Sequence, residues 1–297
     1  MSVLSFFKKK NIGQLFLHLF FIAVCIIYIC PLAVVISASL STEQSLAGAG
    51  FSLVPKAFSL EAYKIVFEHP EQILKSYEVT ILFSAIGTFL SVLIMGLAAY
   101  PLSRETFKLK NPITFFFFFT MLFSGGLVPS YILNTRFLHL NDTIWIYILP
   151  SLVSAYSLLV IKTNYRSIPT ELIEAAKIDG GSEMYICFKI VMPLSKATLA
   201  SIGFLKLVGL WNEWFAASIY IRKPELYSLQ YLLQRILREI AYVKQMVDMN
   251  MMTGEIILPE ETVRYAMAMV VAGPMLLVFP FFQKYFVKGM TIGAVKG

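Results

Sequence analysis

Six stretches of about 19–25 mostly apolar residues decide most of what this chain can become. They lie at roughly 14–38, 78–100, 113–133, 144–162, 197–219 and 264–286. A helix needs ~20 such residues to cross the hydrocarbon of a bilayer. Backbone in lipid must satisfy its own N–H and C=O groups, so only helices or a closed barrel can span it. Barrel strands are shorter and alternate in polarity, and these runs do neither. The expected fold is therefore all-α: one polytopic membrane domain over residues 1–297 with six transmembrane helices. Composition agrees, since 14% of the residues are charged against roughly 25% in soluble domains.

The net charge of +7 is read as topology rather than as affinity for nucleic acid. Lys and Arg accumulate on the cytoplasmic side of membrane proteins. With both termini cytoplasmic, the inner segments hold 14 basic residues, among them Lys8, Lys9, Lys10, Arg104, Lys108, Lys110, Arg166 and Lys177. The outer segments then hold nine. Lys8–Lys10 followed by an apolar run imitates a secretory leader, but the run from Gln14 to Ala38 has the length of a span, not of a cleaved h-region. Two outer loops are long, at roughly 39–77 and 220–263. The second contains an expected amphipathic helix over 225–245, with Leu229, Leu232, Leu233, Ile236 and Ile240 at helical spacing. Gly125, Gly126 and Pro129 predict a break or kink in the third span.

Residues 163–196 form a cytoplasmic segment between spans four and five. Pro169 and Thr170 read as a helix start, with Thr170 as N-cap and Glu171 in the first turn, where a carboxylate suits the helix dipole. The helix runs to Ile178, and Asp179-Gly180-Gly181 ends it, because glycine tolerates the left-handed stop. A second short helix is expected from Ser182 to about Val191, stopped by Pro193. Read from pattern alone, such a helix either lies in the headgroups or presents Glu174 and the small Ala175 and Ala176 to another protein.

Glu174-Ala175-Ala176, then Gly180 after three residues, Ile190 after nine more and Pro193 resemble the EAA signature of permeases of bacterial ABC importers. Met192 stands where that signature has Leu. Trp211-Asn212-Glu213-Trp214 and the ending Gln283-Lys284-Tyr285-Phe286-Val287-Lys288-Gly289 are similar to motifs of the carbohydrate-uptake branch, and specifically of the shorter, maltose-type permease. The flavour is closest to the subgroup for complex oligosaccharides. The resemblance implies a multi-pass subunit of the bacterial cytoplasmic membrane. Its implied partners are a second homologous permease, two cytoplasmic ATPase subunits, an extracellular solute-binding protein, membrane lipid and an oligosaccharide. It also implies that Leu172, Glu174, Ala175, Ala176, Ile178 and Gly180 couple to the ATPase, which alone binds ATP and Mg.

The residues themselves carry no phosphate-binding G-x-x-x-x-G-K-[ST] loop, so no cofactor is expected in this chain. His18, His69 and His139 lack ligand spacing, Cys25, Cys30 and Cys187 form no disulfide or metal pattern, and no catalytic cluster is present. The chain is therefore read as a transporter component and not as an enzyme. Polar residues inside spans mark substrate paths by default. Trp211, Asn212, Glu213 and Trp214 in span five are the best candidates, since rings suit the CH faces of sugars and polar groups suit the hydroxyls. The same Asn212 and Glu213 also suit interhelical hydrogen bonds. Asn134, Asn141 and Asp142 are weaker candidates. The competing class is a stand-alone, ion-coupled secondary transporter, whose usual half-to-half repeat is not apparent here.

Overall fold

The computed structural model describes residues 11–248 and 259–294. Helix α1 (Asn11–Ser39) carries the first apolar run, and two short helices follow it, α2 (Glu43–Ala49) and α3 (Glu61–Val66). Helix α4 (Pro70–Ser103) carries the second run and extends it by more than a turn at its start. The third run is shared by α5 (Lys110–Leu122) and α6 (Leu127–Ile132), the latter continued by a π turn at Leu133–Phe137. The fourth is shared by α7 (Trp145–Ile148), a 3-10 turn at Leu149–Ser151, and α8 (Ala155–Arg166). Then come α9 (Thr170–Ile178), α10 (Glu183–Ile186), a π turn at Cys187–Val191 and α11 (Met192–Leu194). The remainder is α12 (Lys196–Trp211), α13 (Phe215–Tyr220), α14 (Leu229–Asp248) and α15 (Glu260–Ala294). Among the described residues the only β pairing is one isolated bridge between Ser41 and Phe58.

Among the described residues three helices are long and apolar enough to cross a bilayer singly: α1 from Gln14, α4, and α15 as far as Gln283. Three bent pairs raise the possible number to six: α5 with Leu127–Phe137 at 112°, Trp145–Ser151 with α8 at 54°, and Glu183–Leu194 with α12 at 79°. The first bend falls where the sequence predicts it, at Gly126 with φ +84°. The second interrupts a run expected to be continuous over 144–162. Pro150 cannot donate to the helical ladder, the turn tightens to 3-10, and Ser154 opens α8 by accepting from the Ser157 N–H at 3.3 Å. The fifth run, expected to be continuous over 197–219, stops at Trp211 and restarts at Phe215. Pro193 does not stop the preceding turns either; it takes an early position in α11, where its missing N–H costs nothing. The lysines Lys8–Lys10 and the loop residues 249–258 lie outside the described residues, as do the side chains of the Lys284–Gly289 ending.

The chain forms two compact units. One comprises the chain up to His69 with Arg235–Gly273, and the other Pro70–Gln234 with the chain from Pro274. In the first, Glu43 caps the start of α15. Its Oε1 accepts from the Glu261 N–H at 3.1 Å, and its Oε2 from the Thr262 N–H at 3.0 Å and the Thr262 hydroxyl at 2.8 Å. A carboxylate there answers both the orphan N–H groups and the positive end of the helix dipole. Lys244 bonds Glu260 at 2.8 Å, and the Phe51 and Tyr265 rings meet edge to face at 5.7 Å.

In the second unit α4 packs along α12 and α8. Small residues let the backbones close in: a Cβ on Gly87 would lie 2.8 Å from Leu210 Cδ1. The core combines Met95 and Ala99 of α4, Leu158, Ile161 and Tyr165 of α8, Ile186, Cys187 and Val191 of the segment between α9 and α11, and Leu199 and Ile202 of α12. Phe83 stacks on Tyr147 at 4.3 Å. This core fixes α9 against the ends of α4 and α8.

Candidate functional site

The site expected at residues 170–180 is built by α9 and its stop. Pro169, not Thr170, occupies the N-cap position, and no side chain caps the helix there. The fixed φ of Pro169, −52°, leads the chain into the helix, and Thr170 becomes its first residue. At the other end Gly181 N–H reaches the Ala176 carbonyl at 2.8 Å and Gly180 N–H reaches that of Lys177 at 3.0 Å. This is a Schellman stop, with Gly180 at φ +79° supplying the left-handed residue.

Helical spacing divides α9 into two faces. Ile173 is buried, and Ala176 is half-buried against the core just described. Leu172, Glu174, Ala175 and Ile178 face outward with Gly180, and Ile178 is 86% exposed. The pair Ala175-Ala176 is thus split, one facing out and one packed partly inward. Two aliphatic side chains, Leu172 and Ile178, are thus exposed on the same outward side as Glu174.

A second group ties this surface to the bundle. Glu183 at the start of α10 accepts from Lys177 Nζ at 2.6 Å through Oε1 and from the Tyr100 hydroxyl at 2.5 Å through Oε2. Arg104 lies 5.0 Å over the Tyr100 ring and donates to the Tyr165 carbonyl at 3.4 Å. Glu183 was not singled out in the sequence. No periodic signal links it to Tyr100, 83 residues away.

The Trp211-Asn212-Glu213-Trp214 run occupies the break between α12 and α13, and its four side chains do not form one cluster. Trp211 is buried, its ring 6.5 Å from that of Tyr77. Asn212 is exposed, donates to the Val208 carbonyl at 2.8 Å and accepts from Gln230 Nε2 at 2.8 Å. Glu213 turns to the start of α13, accepting from the Ala216 N–H at 2.8 Å, and its carbonyl accepts from the Ser228 hydroxyl at 2.6 Å. Trp214 stands partly exposed against Phe215. The break therefore exposes Asn212 and Trp214, with Gln230 half-buried beside Asn212, while Trp211 and Glu213 shape it. Gln230 was missed because it lies on the polar face of an amphipathic helix, where polar residues are ordinary. Lys206 does not pair with Glu213 but donates to the Ser151 carbonyl at the end of the broken fourth run.

Two of the three weaker candidates, Asn134 and Asp142, have partners far along the chain. Asn134 is buried and donates to the Tyr220 hydroxyl at 3.2 Å. Asp142, at φ +52°, accepts from the backbone N–H groups of Arg222 at 2.6 Å and Lys223 at 3.1 Å. The Arg222 N–H, with that of Lys223, holds the Asp142 carboxyl below its ordinary range.

Residues 76–292, which include α9, its stop and the broken fifth run, match the family model described as the binding-protein-dependent transport system inner membrane component. The chain belongs to this family. It is a multi-pass permease subunit of an ABC importer and not itself an enzyme. Two curated relatives come from Bacillus subtilis (strain 168). The polygalacturonan/rhamnogalacturonan transport system permease protein YtcP is 36% identical over 289 residues, covering 97% of this chain and 100% of the relative. Protein LplC is 38% identical over 272 residues, covering 91% and 90%. Among solved structures, a bacterial ABC transporter involved in the import of the acidic polysaccharide alginate has a chain of the same fold. Its TM-score is 0.76 at 24% identity, covering 94% of this permease and 98% of that chain.

Proposed function

We propose that this permease carries an oligosaccharide across the bacterial cytoplasmic membrane, with α9 as the helix that receives the ATPase stroke. The observation that carries the reading is the outward row Leu172, Glu174, Ala175 and Ile178, closed by the left-handed Gly180. That row sits on a helix whose opposite face is anchored in the core by Ile173. An exposed apolar side chain set beside an acid suits a cleft with an apolar floor and a basic rim. ATP and Mg belong to two separate cytoplasmic ATPases. A second homologous permease completes the membrane pathway, and an external binding protein delivers the solute. The termini and α9 face the cytoplasm, as the bias of basic residues supports. The sugar class rests on the relatives, one of which is named for polygalacturonan and rhamnogalacturonan. Asn212 and Trp214, with Gln230 beside them, offer the polar and ring surfaces a sugar needs.

The test is uptake by cells expressing the assembled transporter, offered a panel of galacturonan, rhamnogalacturonan and malto-oligosaccharide oligomers. Glu174→Lys and Gly180→Trp are expected to abolish uptake while the permease stays at wild-type abundance in the membrane. Wild-type uptake by Gly180→Trp contradicts the role of α9. Uptake of none of the oligomers by the wild type contradicts the sugar class.

A further inference from the structure

We infer that Glu183 is the joint that fastens α9 to the cytoplasmic end of α4, so that a displacement of α9 is passed into the membrane bundle. The inference rests on the reading of α9 as the ATPase-facing helix. Ile173 and Ala176 of α9 pack against the core through apolar contacts, which are non-directional and so resist sliding poorly. Glu183 adds direction. Each of its two oxygens takes a separate bond, one from Lys177 in the last turn of α9 at 2.6 Å and one from Tyr100 of α4 at 2.5 Å. Both bonds involve an ionised carboxylate; the Tyr100 bond is partly buried, whereas the Lys177 pair is solvent-exposed and supplies direction more than strength. Tyr100 is itself held: its residue is 6% exposed, and Arg104 covers its ring while bonding the carbonyl of the fully buried Tyr165 in α8. A pull on Lys177 therefore reaches the ends of two membrane helices through one carboxylate. Glu183 is a positioning residue; it needs to touch neither the solute nor the ATPase.

The experiment uses the complete transporter in proteoliposomes, with its ATPases, partner permease and binding protein. The probe is the oligomer of the panel above that the wild type imports fastest. The readout is solute imported per ATP hydrolysed, which a loss of folded protein alone leaves unchanged. Glu183→Gln and Tyr100→Phe are each expected to leave basal ATP hydrolysis in place and to lower the ratio about tenfold, within the range of site-to-site coupling. The double exchange Lys177→Glu with Glu183→Lys, which restores an opposite-charge pair, is expected to recover part of the loss. A wild-type ratio in both single variants overturns the joint. So does a parallel fall of import and hydrolysis that leaves the ratio intact. If Glu183→Gln fails to assemble, Tyr100→Phe decides, because it deletes one hydroxyl and no packing. Glu174→Lys measured alongside separates the two readings. A wild-type result there overturns the role of α9 itself, whereas abolished import with wild-type ratios for Glu183→Gln and Tyr100→Phe overturns the joint alone.

Discussion

Glu43 and Asp142 show how single carboxylates hold this permease together. Both accept from consecutive backbone N–H groups rather than from a lysine or arginine side chain. Glu43 satisfies donors at the start of α15 that have no helical partner. Glu43→Ala is expected to destabilise the protein by about 1 kcal/mol, the usual cost of losing a helix cap. The midpoint of thermal unfolding in detergent measures this. Asp142 makes a prediction in pH. Its carboxyl is held below the ordinary value of 3.8, so the folded state binds its proton more weakly than the unfolded chain does. The stabilisation is fully present above that value and is lost as pH falls through the depressed one. Wild type is therefore expected to unfold at a higher temperature than Asp142→Asn near neutrality. The gap should narrow as the buffer is taken below pH 3.8. A gap that does not change with pH contradicts the assignment.

At the scale of elements, α9 depends on its stop as much as on its faces. Gly180 at φ +79° lets the chain reverse and closes the two bonds to Ala176 and Lys177. A Cβ there meets no neighbouring atom within 4 Å, so the penalty for a side chain is conformational rather than steric. Gly180→Ala is expected to cost about 1 kcal/mol and to speed amide exchange in α9, read by hydrogen–deuterium exchange. The stop was legible in the sequence, as was the bend at Gly125-Gly126, because glycine signals backbone conformation directly. The breaks at Leu152–Ser154 and Asn212–Trp214 were not. Hydropathy registers side chains, and both segments are apolar enough to read as continuous helix. At the end of α12 Glu213 caps the next helix at Ala216, and two bonds reach far along the chain, from the Glu213 carbonyl to Ser228 and from Asn212 to Gln230, which hydropathy does not register. The same holds for the start of α9, where Thr170 has the chemistry of a cap but Pro169 holds the position. The outward row of α9 followed from helical spacing, yet the inward turn of Ala176 depends on where the core lies, which spacing alone does not say.

For the whole molecule, the proposed function has motion enter at α9, driven by ATP held by other chains. The permease fold and family membership support that direction of work, and the Glu183 joint gives it a route into α4. The measurement that bears on the claim most directly is uptake by proteoliposomes carrying the complete transporter, with ATP and ion gradients supplied separately. Solute should accumulate when ATP and Mg are enclosed on the ATPase side with binding protein outside, and not when an ion gradient replaces ATP. Accumulation driven by an ion gradient without ATP would contradict the account and would favour a stand-alone secondary transporter.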